Sequence, residues 1–202
     1  MGDSKPRIGV LALARPTFDV PYAEEVAGAA LQTLSDLDAD LIGSADLLFD
    51  ADATELALEQ FAGEHLDALL LLQVSFTDSS MTEAIGARFD APIILWSFPE
   101  ERSGGRLRLN SFCGINLAAY ALINAGSAFG YIHRYADDRG AVGDIQGLLG
   151  GEIGQPASRR RTPQETSTTA AAKAMVVASK LSATTIGVIA VSYTHLRAHE
   201  TF

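Results

Sequence analysis

The chain holds little of what several functional classes require. It has one cysteine, Cys113, in 202 residues. An intrachain disulfide is therefore excluded, and the composition suits a reducing compartment. Basic residues are few: 15 Lys and Arg stand against 25 Asp and Glu, a formal net charge of -10. A phosphate-backbone partner needs clustered Lys and Arg, so no nucleic acid is expected. No apolar run approaches the ~20 residues of a membrane helix. The run at residues 68–72, with Val74 beyond it, is far shorter. The opening MGDSKPRIGV lacks the apolar core of a secretory signal. The expectation is a cytoplasmic protein with no membrane partner. No Walker sequence is present, and the glycine-rich stretch 143–154 lacks the G-x-G-x-x-G spacing of a dinucleotide loop.

What is present is alternation. Short apolar runs at 7–14, 40–44, 67–74, 92–98 and 129–133 read as strands. Stretches with helical spacing lie between them, at 22–37, 52–63, 79–89 and 111–125. In the first, Val26, Ala30, Leu34 and Leu37 fall on one face. In the second, Asp52 is the expected N-cap, with Leu56 and Phe61 inward. Gly126 stands where a C-cap glycine belongs. Strands alternating with helices imply a parallel sheet covered on both faces. Residues 1–137 therefore read as one α/β domain, a doubly wound parallel sheet of flavodoxin-like size.

The character then changes. Residues 138–161 are rich in glycine, carry Arg159, Arg160 and Arg161, and read as a linker with marginal helix. Thr162, Pro163 and Glu165 mark a helix start with a capping box, and 185–190 reads as a strand. Residues 162–190 are thus expected to be the truncated start of a second α/β domain. Residues 191–202 resemble the translation of a sequencing adapter and read as a non-native tail. His195 and His199 are four apart, but Leu196 stands where the zinc-protease pattern needs Glu, so no metal site is assigned there.

Three of the strands end in polar clusters, and in an open parallel sheet ligands bind outside the carboxyl ends of strands. The first is Arg15, Pro16, Thr17, Phe18 and Asp19. Arg15 is either a ligand-contacting fork or a surface arginine paired with Asp19 or Asp78. The second is Gln73, Val74, Ser75, Phe76, Thr77 and Asp78. Gln73 and Ser75 either bond a polyhydroxylated ligand or serve the fold, while Asp78 reads as a helix cap. The third is Trp96, Ser97, Phe98, Pro99 and Glu100. Trp96, the only tryptophan, is either core or a platform for a sugar ring. Glu100 and Glu101 read as solvated charge. Asn110 or Ser111 caps the next helix, Gly114 lets its first turn approach another backbone, and Cys113 reads as a buried, inert thiol.

The order and spacing of these segments, with Leu109 to Ala118 after them, resemble the L-fucose isomerase-like proteins, relatives of the L-arabinose isomerases. The likeness runs from Arg7 to about Ala190. It implies an aldose–ketose isomerase that uses a divalent metal, usually Mn2+, held by Glu, Asp and His of later domains. It also implies a monosaccharide such as fucose or arabinose as substrate, and a homo-oligomer in which a first domain completes a neighbour's pocket. On this chain the substrate-contact role would fall to Arg15 and Trp96. Gln73, Ser75 and Asn110 join them as substrate-binding candidates. No catalytic and no metal-binding residue is assigned, and the chain by itself is expected to be inactive. The competing expectation is a non-catalytic sugar-binding or interaction module of the same shape. A flavin site would need a hydroxyl-rich loop after the first strand, where only Thr17 is found.

Overall fold

The computed structural model describes residues 5–102, 104–153 and 168–184. Two compact units divide the chain, Met1–Arg160 and Arg161–Phe202.

The first unit is built on five parallel strands: β1 (Arg7–Leu13), β2 (Asp40–Leu48), β3 (Ala68–Gln73), β4 (Ile93–Ser97) and β5 (Phe129–His133). Their order is β2-β1-β3-β4-β5. The helices are α1 (Val20–Leu34), α2 (Ala51–Glu59), α3 (Ser80–Arg88), α4 (Ser111–Ala125) and α5 (Gly140–Gly147). This is the doubly wound, flavodoxin-like arrangement, with its switch of winding direction between β1 and β3.

Side chains alternate across each strand, and every face of the three central strands is covered. On one face Val10, Leu70, Leu72, Ile94 and Trp96 pack with Val26, Ala30 and Leu34 of α1 and with Ala141 and Ile145 of α5. On the other, Leu11, Leu69, Leu71 and Leu95 pack with Leu58, Ile85, Ile115 and Leu122 of α2, α3 and α4. That double burial is why β3 is almost unbroken leucine, with all six residues buried.

The two sheet edges differ. β2 carries exposed Asp40, Gly43 and Ser44, and its register against β1 shifts between Val10 and Ala12. Gly43 sits at φ +121 with a Cβ position inside the Val10 carbonyl, so only glycine fits there. β5 has no such interruption, and its Tyr131 is 65% exposed.

Several local expectations are corrected. α1 starts at Val20, two residues early, because the Asp19 carboxylate accepts from the Tyr22 N–H (3.2 Å) and Pro21 fits the first turn. Asp50, not Asp52, caps α2 through the Ala53 N–H (2.8 Å). That rotates Leu58 and Phe61 inward and leaves Leu56 exposed. The expected linker with marginal helix is more ordered than that: α5 buries Ala141 and Ile145, and a π-helical turn, Leu148–Glu152, follows it with Gly151 at φ 113 breaking the helical geometry. Gly126 does end α4, at φ 75.

In the second unit a helix, α6 (Thr168–Ser182), is described. Its residues 171–182, and the two that follow, are exposed. The expected capping box, the strand at 185–190 and the tail at 191–202 lie outside the described residues. Among the described residues no helix is long and apolar enough to cross a membrane.

Candidate functional site

The three polar clusters meet at the carboxyl end of the sheet. The Arg15 N–H donates to Ser75 Oγ (2.8 Å), joining the loops after β1 and β3. The Phe76 N–H donates to the Leu109 carbonyl (2.8 Å), and the Asp19 N–H to the Arg108 carbonyl (3.1 Å). The loops after β1, β3 and β4 therefore form one continuous rim.

Most of the expected contact residues serve that rim from within. Gln73 is fully buried. Its Nε2 donates to the Ser75 carbonyl (2.7 Å) and to Thr77 Oγ1 (3.0 Å). Gly114 packs beside it, and a Cβ there would lie 2.9 Å from Gln73 Nε2, so a larger residue would have to displace the Gln73 amide. The close approach is thus to a side chain rather than to a backbone. Ser75 is fully buried and occupied by Arg15. Trp96 is fully buried in the α1 face, and its Nε1–H donates to the Arg134 carbonyl (3.1 Å). It offers no face to a ligand, which corrects the platform reading: a β4 side chain on that face lies beneath α1 and α5.

Asn110 takes the N-cap position of α4 in a left-handed conformation, φ 52, without a side-chain capping bond. Ser111 does not cap either. Its hydroxyl accepts from the Phe98 N–H (2.9 Å) and donates to the Gln73 carbonyl, bridging β4 and β3. Glu100 is not merely solvated. Its carboxylate accepts from the N–H groups of Arg108 (3.0 Å), Leu109 (2.9 Å) and Asn110, and so folds the long loop before α4. Cys113 is exposed on the outer side of α4, against the expectation of burial.

Two arginines stand on the rim. Arg15 is half-buried, 3.8 Å from the Asp78 carboxylate and 5.8 Å from the Phe76 ring centroid. It lines a cavity of about 260 Å3 at the switch point, with Asp50, Thr77 and Asp78. The Ser80 hydroxyl, hydrogen-bonded to Asp78, holds that carboxyl below its usual range. Arg108 is more firmly committed. Its Nε donates to Asp19 (2.8 Å), its Nη1 to Glu101 (3.2 Å), and it lies 3.7 Å from the Tyr22 ring centroid. The bond from Arg108 depresses the Asp19 pKa.

A second opening runs along β5. A groove of about 490 Å3 is lined by Pro99, Tyr131, His133, Arg134, Tyr135 and Asp144, among others. His133 Nδ1 pairs with Ser97 Oγ (2.8 Å), and the Phe112 ring meets the imidazole edge-on at 5.2 Å. Burial lowers the His133 pKa, which favours the neutral ring. Apart from Pro99, which belongs to the third polar cluster, none of these groove residues was proposed from the sequence. The signal was the polar and aromatic side chains at 131, 133 and 135, every second residue of one strand and its extension.

Among the described residues no group of three or more His, Cys, Asp and Glu could hold a metal ion.

The family model for the fucose/sulfoquinovose isomerase N-terminal domain matches residues 9–146. The chain is 28% identical over 127 residues to the sulfoquinovose isomerase of Priestia aryabhattai, covering 63% of this chain and 28% of that protein. It is 25% identical over 153 residues to the sulfoquinovose isomerase of Clostridium sp. (strain MSTE9), covering 74% of this chain and 34% of that one. The chain thus spans about a third of the length of these relatives, or less.

Proposed function

The chain belongs to the fucose/sulfoquinovose isomerase family, whose N-terminal domain it carries, and from that premise we propose that it is the sugar-contacting first domain of an aldose–ketose isomerase. The observation that carries this reading is the rim. The family match covers residues 9–146, and the loops after β1, β3 and β4 within it are bonded into one surface at the carboxyl end of the sheet.

The chain's own part in this reading is to bind and orient. Arg15 offers a planar fork of donors, and among the described residues its ionic partner Asp78 is 3.8 Å away, loose enough to be exchanged. Asn110 is half-buried with its side chain uncommitted to the cap. Gln73 and Ser75 act one step back: they hold the loops that present Arg15. A monosaccharide is the proposed substrate. Sulfoquinovose comes before fucose or arabinose, because the relatives carry that name and because a sulfonate suits an arginine fork.

The Mn2+ implied by the family resemblance belongs, in this proposal, to the parent protein and not to the residues described here. A homo-oligomer in the cytoplasm, with this domain completing a neighbour's pocket, is part of the same proposal. The test is to incubate the polypeptide read from the contiguous gene with Mn2+ and each of the three sugars and follow ketose formation. Ketose from at least one sugar is expected, with at least tenfold loss in Arg15→Gln. Failure on all three overturns the isomerase reading, and sugar binding without turnover supports the binding-module alternative.

A further inference from the structure

The groove along β5 has the chemistry of a carbohydrate subsite and lies apart from Arg15. Among the described residues β5 is an edge strand. The Ala128 carbonyl and the Arg134 N–H bond to β4, at Ile93 and Ser97. The alternation of a parallel ladder therefore turns the N–H and C=O of Tyr131 and His133 away from β4, toward the open side. Tyr131 and Tyr135 are 65% and 41% exposed. These are large apolar rings in a groove, the Tyr135 hydroxyl donating to the Glu100 carbonyl (3.5 Å), and such ring faces suit the C–H face of a sugar.

The charges select the ligand. Arg134 donates to Asp138 (2.8 Å) and to Asp144, so one cation faces two carboxylates and the cluster retains one negative charge. That disfavours a sulfonate or phosphate. Asp144 holds Arg134 through Oδ2, which leaves Oδ1 to accept from a hydroxyl. His133 has Nδ1 engaged by Ser97 and its ring plane set by Phe112, so Nε2 is the nitrogen left for a ligand.

We propose that this groove binds the neutral, hydroxyl-bearing part of a sugar, with Tyr131 and Tyr135 as ring platforms and His133 and Asp144 as hydrogen-bonding groups. The assignment rests on the sugar-isomerase reading for its ligand class. It places the uncharged part of the ligand here and leaves any anionic group to the arginines of the rim.

The experiment is an NMR titration of the 202-residue chain with L-fucose as the neutral probe, following the side-chain signals of His133 and the tyrosines. Saturable shifts are expected at His133 and Tyr131. Tyr131→Ala and Tyr135→Ala should each weaken binding about threefold to tenfold. Tyr131→Phe should stay close to wild type, because the ring face remains. Tyr120→Ala, 64% exposed on α4 and outside the groove lining, should leave affinity unchanged. Tyr131 is exposed enough that its truncation leaves the fold intact, and a thermal melt confirms this for each variant. No saturable shift, or shifts confined to the rim with Tyr131→Ala at wild-type affinity, overturns the proposal. If the groove fails while the gene product still isomerises a sugar, the isomerase reading stands without it. If the groove binds fucose while the gene product is inert, the groove stands and the isomerase reading falls.

Discussion

The two halves of the sheet's carboxyl edge use their polar side chains in opposite ways. At the centre, above β1 and β3, Gln73, Ser75, Thr77 and Ser111 are buried and bonded to one another's loops. At the margin, above β5, Tyr131 and Tyr135 are exposed and His133 keeps a free nitrogen. The difference follows from coverage. A central strand has neighbours on both sides and helices on both faces, so a polar residue at its end must find its partners internally; Gln73 does so through Nε2, while its buried Oε1 has no partner among the described residues. An edge strand leaves one side open. At the centre the buried polar side chains serve structure, with half-buried Arg15 the one that reaches the rim, whereas at the margin the polar side chains stay accessible.

That contrast can be broken by mutation. The largest effect is expected from Gly114→Val, whose branched side chain would enter the space of the buried Gln73 amide. A loss of about 3 kcal/mol is expected from such overpacking, measured by urea unfolding. Ser111→Ala removes the bridge between β3 and β4 and should lower stability by about 2 kcal/mol, because the Phe98 N–H and the Gln73 carbonyl both lose a partner. Glu100→Gln keeps an acceptor but not its charge. About 1 kcal/mol is expected in a denaturant midpoint, with earlier proteolysis in the 100–110 loop.

At the margin the changes should be smaller. His133 has its pKa lowered by burial, so the unfolded chain binds the proton more readily than the folded one. Its contribution is complete above the unfolded value of about 6.5 and is lost as pH falls from there through the folded value. Thermal melts of wild type against His133→Gln should show this slope in the wild type alone. Tyr131→Ala should change stability by no more than about 0.5 kcal/mol. If it proved as costly as Ser111→Ala, the distinction between centre and margin would fail.

The sheet was readable because its signals are local and redundant. Leu69 to Leu72 has the length and bounds of a strand buried on both faces, as it is, and Gly126 marks the end of α4 without help from tertiary structure. The rim was readable as a location, since each strand ended in a polar cluster. Its division of labour was not, because the partners lie far apart in the chain: Ser75 meets Arg15 across 60 positions and Ser111 meets Gln73 across 38. Trp96 was open to both readings until its sheet face was known. Glu100 looked like surface charge because three backbone donors leave no trace in a sequence. Residues 140–152 looked like a linker with marginal helix because glycines dilute a helix whose fully buried face is Ala141 and Ile145, with Val142, Leu148 and Leu149 packed beside them.

Trp96 carries a practical consequence. It is the only tryptophan, it is wholly buried, and its indole N–H is tied to the Arg134 carbonyl at the floor of the β5 groove. Excited at the red edge, where tyrosine does not absorb, its emission is thus a single-site optical probe. It should be blue-shifted in the native protein and move to the red once β4 and β5 separate. Because the indole hangs from the same peptide that anchors the groove, a ligand that shifts Arg134 would also be visible as a change in that band, with no label attached.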